Sequence, residues 1–300
     1  SKVLWEGAEL YRAESQREDT IESYGHNTPD DWLEHHVYDA HRILGVAIML
    51  IIDYLLFGFA GVAIWAVQML WIPFWAAGVI NGIGHWWGYR NFETSDASRN
   101  ISWLGFLIGG EELHNNHHAF ASSAKFSSKW WEFDAGWGYI VLLRALGLAQ
   151  VKKLAPRTHI VTGKERVDMD TLRAVFASRL NVMANYAREV LMPVLRQEYR
   201  CRDGACRKNL RRARRLLVRN PEAMDDTSRG VLEGVLERFA NLRTVYQYRQ
   251  RLQDIWNRSA TSHENLMQAL QEWCQQAEAT GVQALQDFAQ RLRGYSLQPV

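Results

Sequence analysis

An apolar stretch that begins at Ile43 constrains the fold of this chain more than any other feature. From Ile43 to Ile80 the sequence contains no Lys or Arg, and it is apolar except for Asp53 and Gln68. A helix needs about 20 apolar residues to cross a bilayer, and this stretch is nearly twice as long. We therefore predict two transmembrane helices joined by a very tight turn near residues 58–61. The alternative is a buried hairpin in a large soluble core.

The charges that flank this stretch predict its orientation. Arg42 precedes it, and Arg90 and Arg99 follow it. Positive residues stay on the cytoplasmic side of a membrane, so both ends of the hairpin are expected in the cytoplasm, as is everything after residue 85. Tryptophans occur where an aromatic belt would lie, at Trp71, Trp75, Trp86 and Trp87.

The last part of the chain has a soluble helical pattern, with apolar residues recurring at helical spacing. It predicts a small bundle of roughly four or five helices. The landmarks are a helix start at Asp170, a kink or break at Pro193, a second start between Pro221 and Asp226, and a capping box at Thr261-x-x-Glu264.

These patterns together predict an all-α fold in four parts. They are a cytosolic amphipathic segment at 1–42, a transmembrane helical hairpin at 43–85, a cytosolic histidine-containing region at 86–160, and a helical C-terminal extension at 161–300.

Charge is concentrated in one helix of the extension. The net charge of +2 and the charged fraction of 23% are those of an ordinary folded chain. The basic residues could meet anionic lipid or phosphates, or form a solvated face that pairs with acids. Residues 210–295 also resemble the helical end of insertion-sequence transposases, but without a carboxylate triad. We do not expect nucleic acid as a partner. The basic residues are Arg207, Lys208, Arg211, Arg212, Arg214, Arg215 and Arg219.

The histidines at 114, 117 and 118 give the clearest chemical signal. In His114-Asn115-Asn116-His117-His118 they occupy positions i, i+3 and i+4, which share one face of a helix. Imidazole is a common ligand of iron and zinc. The pattern predicts a metal site, with a solvated structural role as the alternative.

Two further features extend this predicted site. Asn81 and His85 lie four residues apart at the cytosolic end of the second predicted membrane helix. A lone histidine there would be an interfacial anchor, but beside the downstream trio it becomes a candidate ligand. Glu111 precedes the trio, and a carboxylate near a ligating imidazole orients it. The alternative is an acid favoured at a helix N-terminus.

These motifs resemble those of the membrane fatty acid desaturases. The run Gly110-Glu111-x-x-His114-Asn115-x-His117-His118 is similar to the third histidine box of that family. Asn81-x-x-x-His85 is similar to the extra ligand pair of its acyl-CoA desaturase branch, and residues 127–137 resemble the segment after the box in bacterial members. The resemblance covers roughly residues 1–155 and implies a bacterial inner-membrane protein.

The resemblance implies a di-iron, oxygen-dependent oxidoreductase that places a double bond in a fatty acyl chain. No catalytic residues are expected beyond the metal ligands. The implied partners are fatty acyl-CoA or another acyl lipid, dioxygen, membrane lipid, and an electron carrier such as a ferredoxin or a b-type cytochrome. The implied iron ligands are His85, His114, His117 and His118 directly and Asn81 through a water.

One departure from the family pattern limits the expected activity. The family has two earlier boxes, His-x4-His and His-x2-His-His, and the second is absent here. His36 and His41 have the spacing of the first box, but they precede the hairpin. His26 and His35 complete neither box. We therefore expect an incomplete desaturase that is inactive alone. The alternatives are a hydroxylase or alkane monooxygenase of the same superfamily, and a non-catalytic membrane-anchored helical module.

Overall fold

The computed structural model describes residues 2–24, 31–41, 43–198, 204–221, 224–257 and 262–298. These residues are mostly helical, which confirms the all-α prediction, and the few strands are short. Three residues that carried predictions lie outside the described ranges, namely His26, Arg42 and Thr261.

The chain divides into two compact units. The first comprises Ser1–Tyr89, Ser98–His114 and Lys129–Val141, and the second comprises Arg90–Ala97, Asn115–Ser128 and Leu142–Val300. The division falls inside one short helix, α5, which spans His114–Ala119.

Helices dominate the first unit. Before the hairpin, the Asp31 carboxylate accepts a hydrogen bond from the Glu34 amide at 2.9 Å, a contact typical of a helix N-cap. The elements in chain order are α1 Lys2–Glu14, α2 Glu18–Tyr24, a π-helix Glu34–Asp39, α3 Leu44–Phe57, α4 Phe59–Ile72, a π-helix Pro73–Ile83, the parallel strands β1 Leu104–Gly105 and β2 Phe133–Asp134, and α6 Ala135–Ala145, which continues into the second unit.

The apolar stretch forms the predicted tight hairpin. Gly58 alone separates α3 from α4 and has a φ of 60°, which favours glycine. A Cβ at Gly61 would lie 1.9 Å from the Asp53 carbonyl oxygen, so only glycine lets the helices approach this closely. The Trp65 indole donates to the Val46 carbonyl at 3.0 Å and joins the helices further along.

Only one arm of the hairpin is long enough to cross a membrane by length and composition. Among the described residues this is Phe59–Ile83, with 25 residues, whereas Leu44–Phe57 is shorter. At about 1.5 Å per residue, 14 residues rise about 21 Å, short of a hydrocarbon core of about 30 Å. Of the two predicted transmembrane helices, only Phe59–Ile83 is therefore long enough to cross the membrane. The side chains of this helix are largely exposed, including Phe59 at 86%.

The second unit contains a helical bundle with a continuous apolar core. Its centre includes the buried rings of Tyr186, Trp273 and Phe288, packed edge to face. The Tyr186 hydroxyl donates to the Val245 carbonyl at 2.6 Å and the Trp273 indole to the Tyr248 carbonyl at 2.9 Å, so the buried polar ends of these rings are satisfied. The predicted bundle is therefore confirmed.

The bundle has more segments than the sequence indicated. An antiparallel strand pair, β3 Thr158–Ile160 and β4 Tyr295–Leu297, joins its two ends. Its helices are α7 Met169–Ala177, α8 Arg179–Tyr186, a π-helix Ala187–Leu191, α9 Met192–Glu198, α10 Gly204–Leu216, α11 Asp226–Arg238, α12 Ala240–Asn257, α13 His263–Glu278 and α14 Gln283–Arg293.

Two predicted boundaries of the bundle are corrected. The first helix is capped by Asp168 rather than starting at Asp170, and it breaks at Ser178 rather than at Pro193. The Ser178 hydroxyl bonds back to the Ala174 carbonyl at 2.5 Å, which competes with helix continuation. Pro193 lies in the first turn of α9, where proline is tolerated. The N-cap of α13 is Ser262, whose side chain accepts from the Asn265 amide.

The Asp168 cap predicts an acid-sensitive contribution to the stability of the bundle. Burial opposes its charged form, but hydrogen bonds from Lys164 and Thr171 outweigh this and lower the pKa of Asp168 to about 2. The charged cap is therefore stabilising at neutral pH, and its contribution is lost as the pH falls from the ordinary value of 3.8 to about 2. We expect Asp168→Ala to lower the free energy of unfolding by about 1 kcal/mol at neutral pH.

Urea unfolding followed by circular dichroism across this pH range checks the prediction. Asp168→Asn is the matched control, because its amide oxygen can still cap the Thr171 amide. A loss for Asp168→Ala that persists undiminished at pH 2 would contradict the assigned role.

Candidate metal centre

The loop that leads into α5 is held by Glu112. Its buried carboxylate accepts hydrogen bonds from the Leu107 amide at 2.6 Å and the Ile108 amide at 3.2 Å. Gly109 and Gly110 have φ values of 60° and 104°, so the chain can reverse there before the helix begins. Of the two adjacent acids, Glu112 therefore builds the loop, which leaves Glu111 as the acid nearer to the histidines.

A short segment, residues 99–101, links the end of the apolar helix to this loop. The Arg99 amide donates to the Gly84 carbonyl at 2.7 Å, and the Ile101 amide donates to the Glu112 carbonyl at 2.8 Å. Tyr89 and Asn100 exchange both backbone hydrogen bonds between these points. Because one segment binds both neighbours, residues next to His85 and residues next to His114 are drawn together.

The two histidines meet as a result. The Nε2 atoms of His85 and His114 are 3.0 Å apart, and the rings lie edge to face with centroids 4.9 Å apart. His114 is buried, with 3% of its surface exposed. Two nitrogens that each lie about 2.1 Å from one ion, at a right angle, are about 3.0 Å apart. This pair of imidazoles therefore fits two adjacent ligand positions of one metal ion.

His118 lies one helical turn beyond His114 on α5. This spacing predicts His118 as a further ligand, since neutral imidazoles are a donor set that suits iron or zinc. The role of His118 at a metal stays a prediction.

The other predicted site residues occupy different surroundings. The ring of His117 packs against Phe126, with centroids 4.6 Å apart. The Asn81 amide nitrogen donates to the Ala76 carbonyl of its own helix at 2.9 Å. Glu111 Oε2 lies 3.9 Å from His114 Nδ1, beyond hydrogen-bonding distance. The roles of His117, Asn81 and Glu111 at a metal stay predictions.

The histidines before the hairpin are placed separately. The Nδ1 atom of His36 lies 3.0 Å from the Trp32 carbonyl oxygen, and its ring stacks on Trp32 with centroids 5.0 Å apart. His41 is exposed.

In the second unit, an acid that the sequence did not indicate contacts the histidine motif. Asp96 Oδ2 lies 2.6 Å from His118 Nδ1. Asp96 lies 22 residues before His118 in a loop without regular structure, so no helical or strand spacing points to the pair. The Asp96–His118 pair is identified from the distance between the two side chains in the structure.

The loop that carries Asp96, residues 90–97, is fastened to α5 by the residue after His114. The Asn115 side chain is fully buried and accepts from the amides of Asn91 and Phe92, both at 2.9 Å. Its amide group also donates to the Phe92 carbonyl at 2.9 Å. Asn116 accepts from the Asn91 side chain at 2.8 Å. The residues between the histidines thus set the position of the loop.

The first part of the chain is similar to known fatty acid desaturases. Residues 19–145 match the family model described as Fatty acid desaturase. The chain is 43% identical over 94 residues to the sn-2 palmitoyl-lipid 9-desaturase of Nostoc sp. (strain 36), covering 31% of this chain and 32% of that protein. It is 40% identical over 96 residues to the sn-1 stearoyl-lipid 9-desaturase of Anabaena variabilis, covering 31% and 35%.

A plant relative gives the same result. The match to Delta-9 acyl-lipid desaturase 1 of Arabidopsis thaliana is 46% identical over 76 residues, or 25% of each chain. The chain thus spans about a third or less of the length of the curated relatives it matches. These findings support the fatty acid desaturase family for this part of the chain.

A second family model matches the other end. Residues 182–298 match a model described as Transposase, which agrees with the resemblance seen in the spacing of residues 210–295. No solved structure matches the chain.

The Asn115 contacts predict how firmly the 90–97 loop is held. Asn115→Ala removes the acceptor of the partly buried Asn91 amide and the buried Phe92 amide, and a buried donor without its partner costs about 1 to 3 kcal/mol. We expect faster hydrogen exchange at the Asn91 and Phe92 amides, measured by mass spectrometry on the full chain. Asn115→Asp keeps the acceptor oxygen and is the conservative control. Unchanged exchange in Asn115→Ala would show that the loop is held by other contacts.

Proposed function

We propose that this chain carries part of a di-iron, oxygen-dependent fatty acyl desaturase. The observation that supports it best is the 3.0 Å approach of His85 and His114 within a segment that matches the desaturase family model. When bound, iron supplies the oxidising power needed to activate dioxygen and remove hydrogens from two adjacent methylene groups, which no side chain provides.

The proposed substrate is a lipid-bound fatty acyl chain. The relatives are named for palmitoyl-lipid and stearoyl-lipid, so we prefer an acyl lipid to the acyl-CoA that the Asn81-x-x-x-His85 motif suggested. The exposed apolar side chains of α3 and α4 would enter the bilayer and bring the histidines to its cytoplasmic surface. A ferredoxin or b-type cytochrome would supply the electrons.

The described histidines support only part of a two-metal site. His85 and His114 lie close enough to bind one ion, and we propose that this chain alone binds at most one iron and does not turn over. Hydroxylation by the same superfamily is the competing chemistry, and a non-catalytic membrane-anchored module is the competing non-enzymatic function.

Two measurements test this proposal. Purified chain loaded anaerobically with Fe²⁺ should hold at most one iron and yield no unsaturated product when given acyl lipid or acyl-CoA, a reductant and dioxygen. Turnover by this chain alone would refute its proposed inactivity. The His85→Ala variant should bind iron more weakly, because it removes one of the two imidazoles that lie 3.0 Å apart.

A chimaera tests the chemistry itself. The matching segment of this chain replaces its counterpart in the Nostoc enzyme, and the products are analysed for alkene and alcohol. We expect an alkene, and we expect none when the chimaera also carries His85→Ala. An alcohol would favour the hydroxylase, and a folded chimaera without product would favour the non-catalytic module.

A second candidate function, nucleic-acid binding, is suggested for the second unit. It is favoured by the transposase match to residues 182–298 and by the basic face of α10. On α10 the basic side chains are exposed while Leu210, Ala213 and Leu216 are buried. Hydrogen bonds with Ser228 lower the pKa of Asp225, and Arg212 contributes to this lowering. The exposed basic side chains are Lys208, Arg211, Arg212, Arg214 and Arg215.

Filter binding of duplex DNA by the full chain tests this second function. Affinity should fall steeply with salt, and Arg211→Gln with Arg215→Gln should flatten the log–log slope by about 0.9 for each phosphate that the variant no longer neutralises. Arg173→Gln with Arg179→Gln is the control, because these arginines are equally exposed on α7 and α8. Binding that ignores salt and the α10 variants would exclude this function.

A further inference from the structure

We propose that Asp96 is a positioning residue: it keeps His118 in the tautomer whose Nε2 is the metal-binding nitrogen. This inference rests on the proposed function, because it takes His118 to be a metal ligand. It adds a residue that neither the histidine motif nor the family match assigns.

The contact between the two side chains fixes where the imidazole proton resides. Asp96 Oδ2 lies 2.6 Å from His118 Nδ1, a distance typical of a strong charge-assisted hydrogen bond. A carboxylate can only accept, so Nδ1 carries the hydrogen, and in the neutral ring the lone pair is then on Nε2. A ligating imidazole ordinarily donates its second N–H in this way, which fixes the ring and raises its basicity.

Asp96 is itself fixed by its own loop. Its Oδ1 accepts from the Thr94 hydroxyl at 2.8 Å, so both carboxylate oxygens are engaged. The Arg90 guanidinium donates to the carbonyls of Thr94 and Asp96, both at 3.1 Å. The carboxylate therefore has little freedom to rotate away from His118.

The 90–97 loop is held against α5, the helix that carries His118. Asn115 and Asn116, which separate His114 from His117 in the motif, hold Asn91 and Phe92 at the start of the loop. The turn of α5 that carries His118 thus also anchors the segment that carries Asp96. Asn115 and Asn116 thereby bring the Asp96 carboxylate, which is distant in sequence, next to His118.

Metal titration of the purified full chain provides the first readout. The apoprotein is titrated anaerobically with Co²⁺, and the dissociation constant is read from the visible absorption of the bound ion. We expect Asp96→Ala to weaken binding about 10- to 100-fold. Asp96→Asn retains an acceptor oxygen without the charge, so its loss should be smaller, and Asp96→Glu should restore part of the affinity.

Glu93→Gln is the matched control for charge and for loop integrity. Glu93 lies in the same loop, pairs with Arg90 at 3.7 Å, and loses the same unit of charge in the variant. It should bind Co²⁺ as the wild type does. An equal loss in Glu93→Gln and Asp96→Asn would show that only the net charge of the loop matters and would overturn the proposal.

The tautomer of His118 provides a second readout that does not depend on bound metal. In the metal-free chain labelled with ¹⁵N-histidine, long-range ¹H–¹⁵N spectra report which ring nitrogen is protonated, and His118→Gln identifies the signal. We expect the Nδ1–H form in the wild type and in Asp96→Asn, and a mixture in Asp96→Ala. A wild-type His118 protonated on Nε2 would overturn the proposal.

The two proposals fail in different ways. If the wild type binds no Co²⁺ or Fe²⁺, the desaturase proposal and this inference both fall. If the wild type binds metal and Asp96→Ala binds it equally well, only the positioning role of Asp96 is refuted.

Discussion

The approach of His85 to His114 is the contact on which the candidate metal centre depends. His85 follows the end of an apolar helix, whereas His114 begins a six-residue helix that is too short to be stable by itself. The two are brought together by backbone hydrogen bonds from residues 99–101 to Gly84 and Glu112. Because those bonds are made by main-chain atoms, they depend on the path of the linking segment.

Several features of the fold follow from sequence pattern alone, for local physical reasons. The hairpin turn was predictable because Gly58 and Gly61 interrupt an apolar run that lacks Lys and Arg, and φ at Gly58 is positive as such a turn requires. The bundle was predictable from the helical recurrence of apolar residues. Its helix ends were less so, because Ser178 breaks a helix through a single hydroxyl contact, and many serines within helices do not.

The residues of the candidate site likewise include some that sequence pattern predicts and some that it does not. Spacing within one helix pointed to His114, His117 and His118, and a neighbouring pair pointed to His85, whose Nε2 atom lies 3.0 Å from that of His114. Asp96 and Asn115 could not be found in this way, since their partners are more than twenty residues distant in sequence and the 90–97 loop has no periodic pattern. The ring of His117 packs on Phe126, which spacing does not predict, and the role of His117 at a metal stays a prediction.

The two family matches leave residues 146–181 between them, and the structure shows that this interval is not a free linker. The strand Thr158–Ile160 pairs with Tyr295–Leu297 near the other end of the chain, and the Thr171 hydroxyl donates to the Arg293 carbonyl at 2.7 Å. Leu172 and Val175 are buried in the bundle core. Cutting the chain at the start of the transposase match would therefore remove a strand and a core helix, so the bundle has to be understood as a unit that begins well before residue 182.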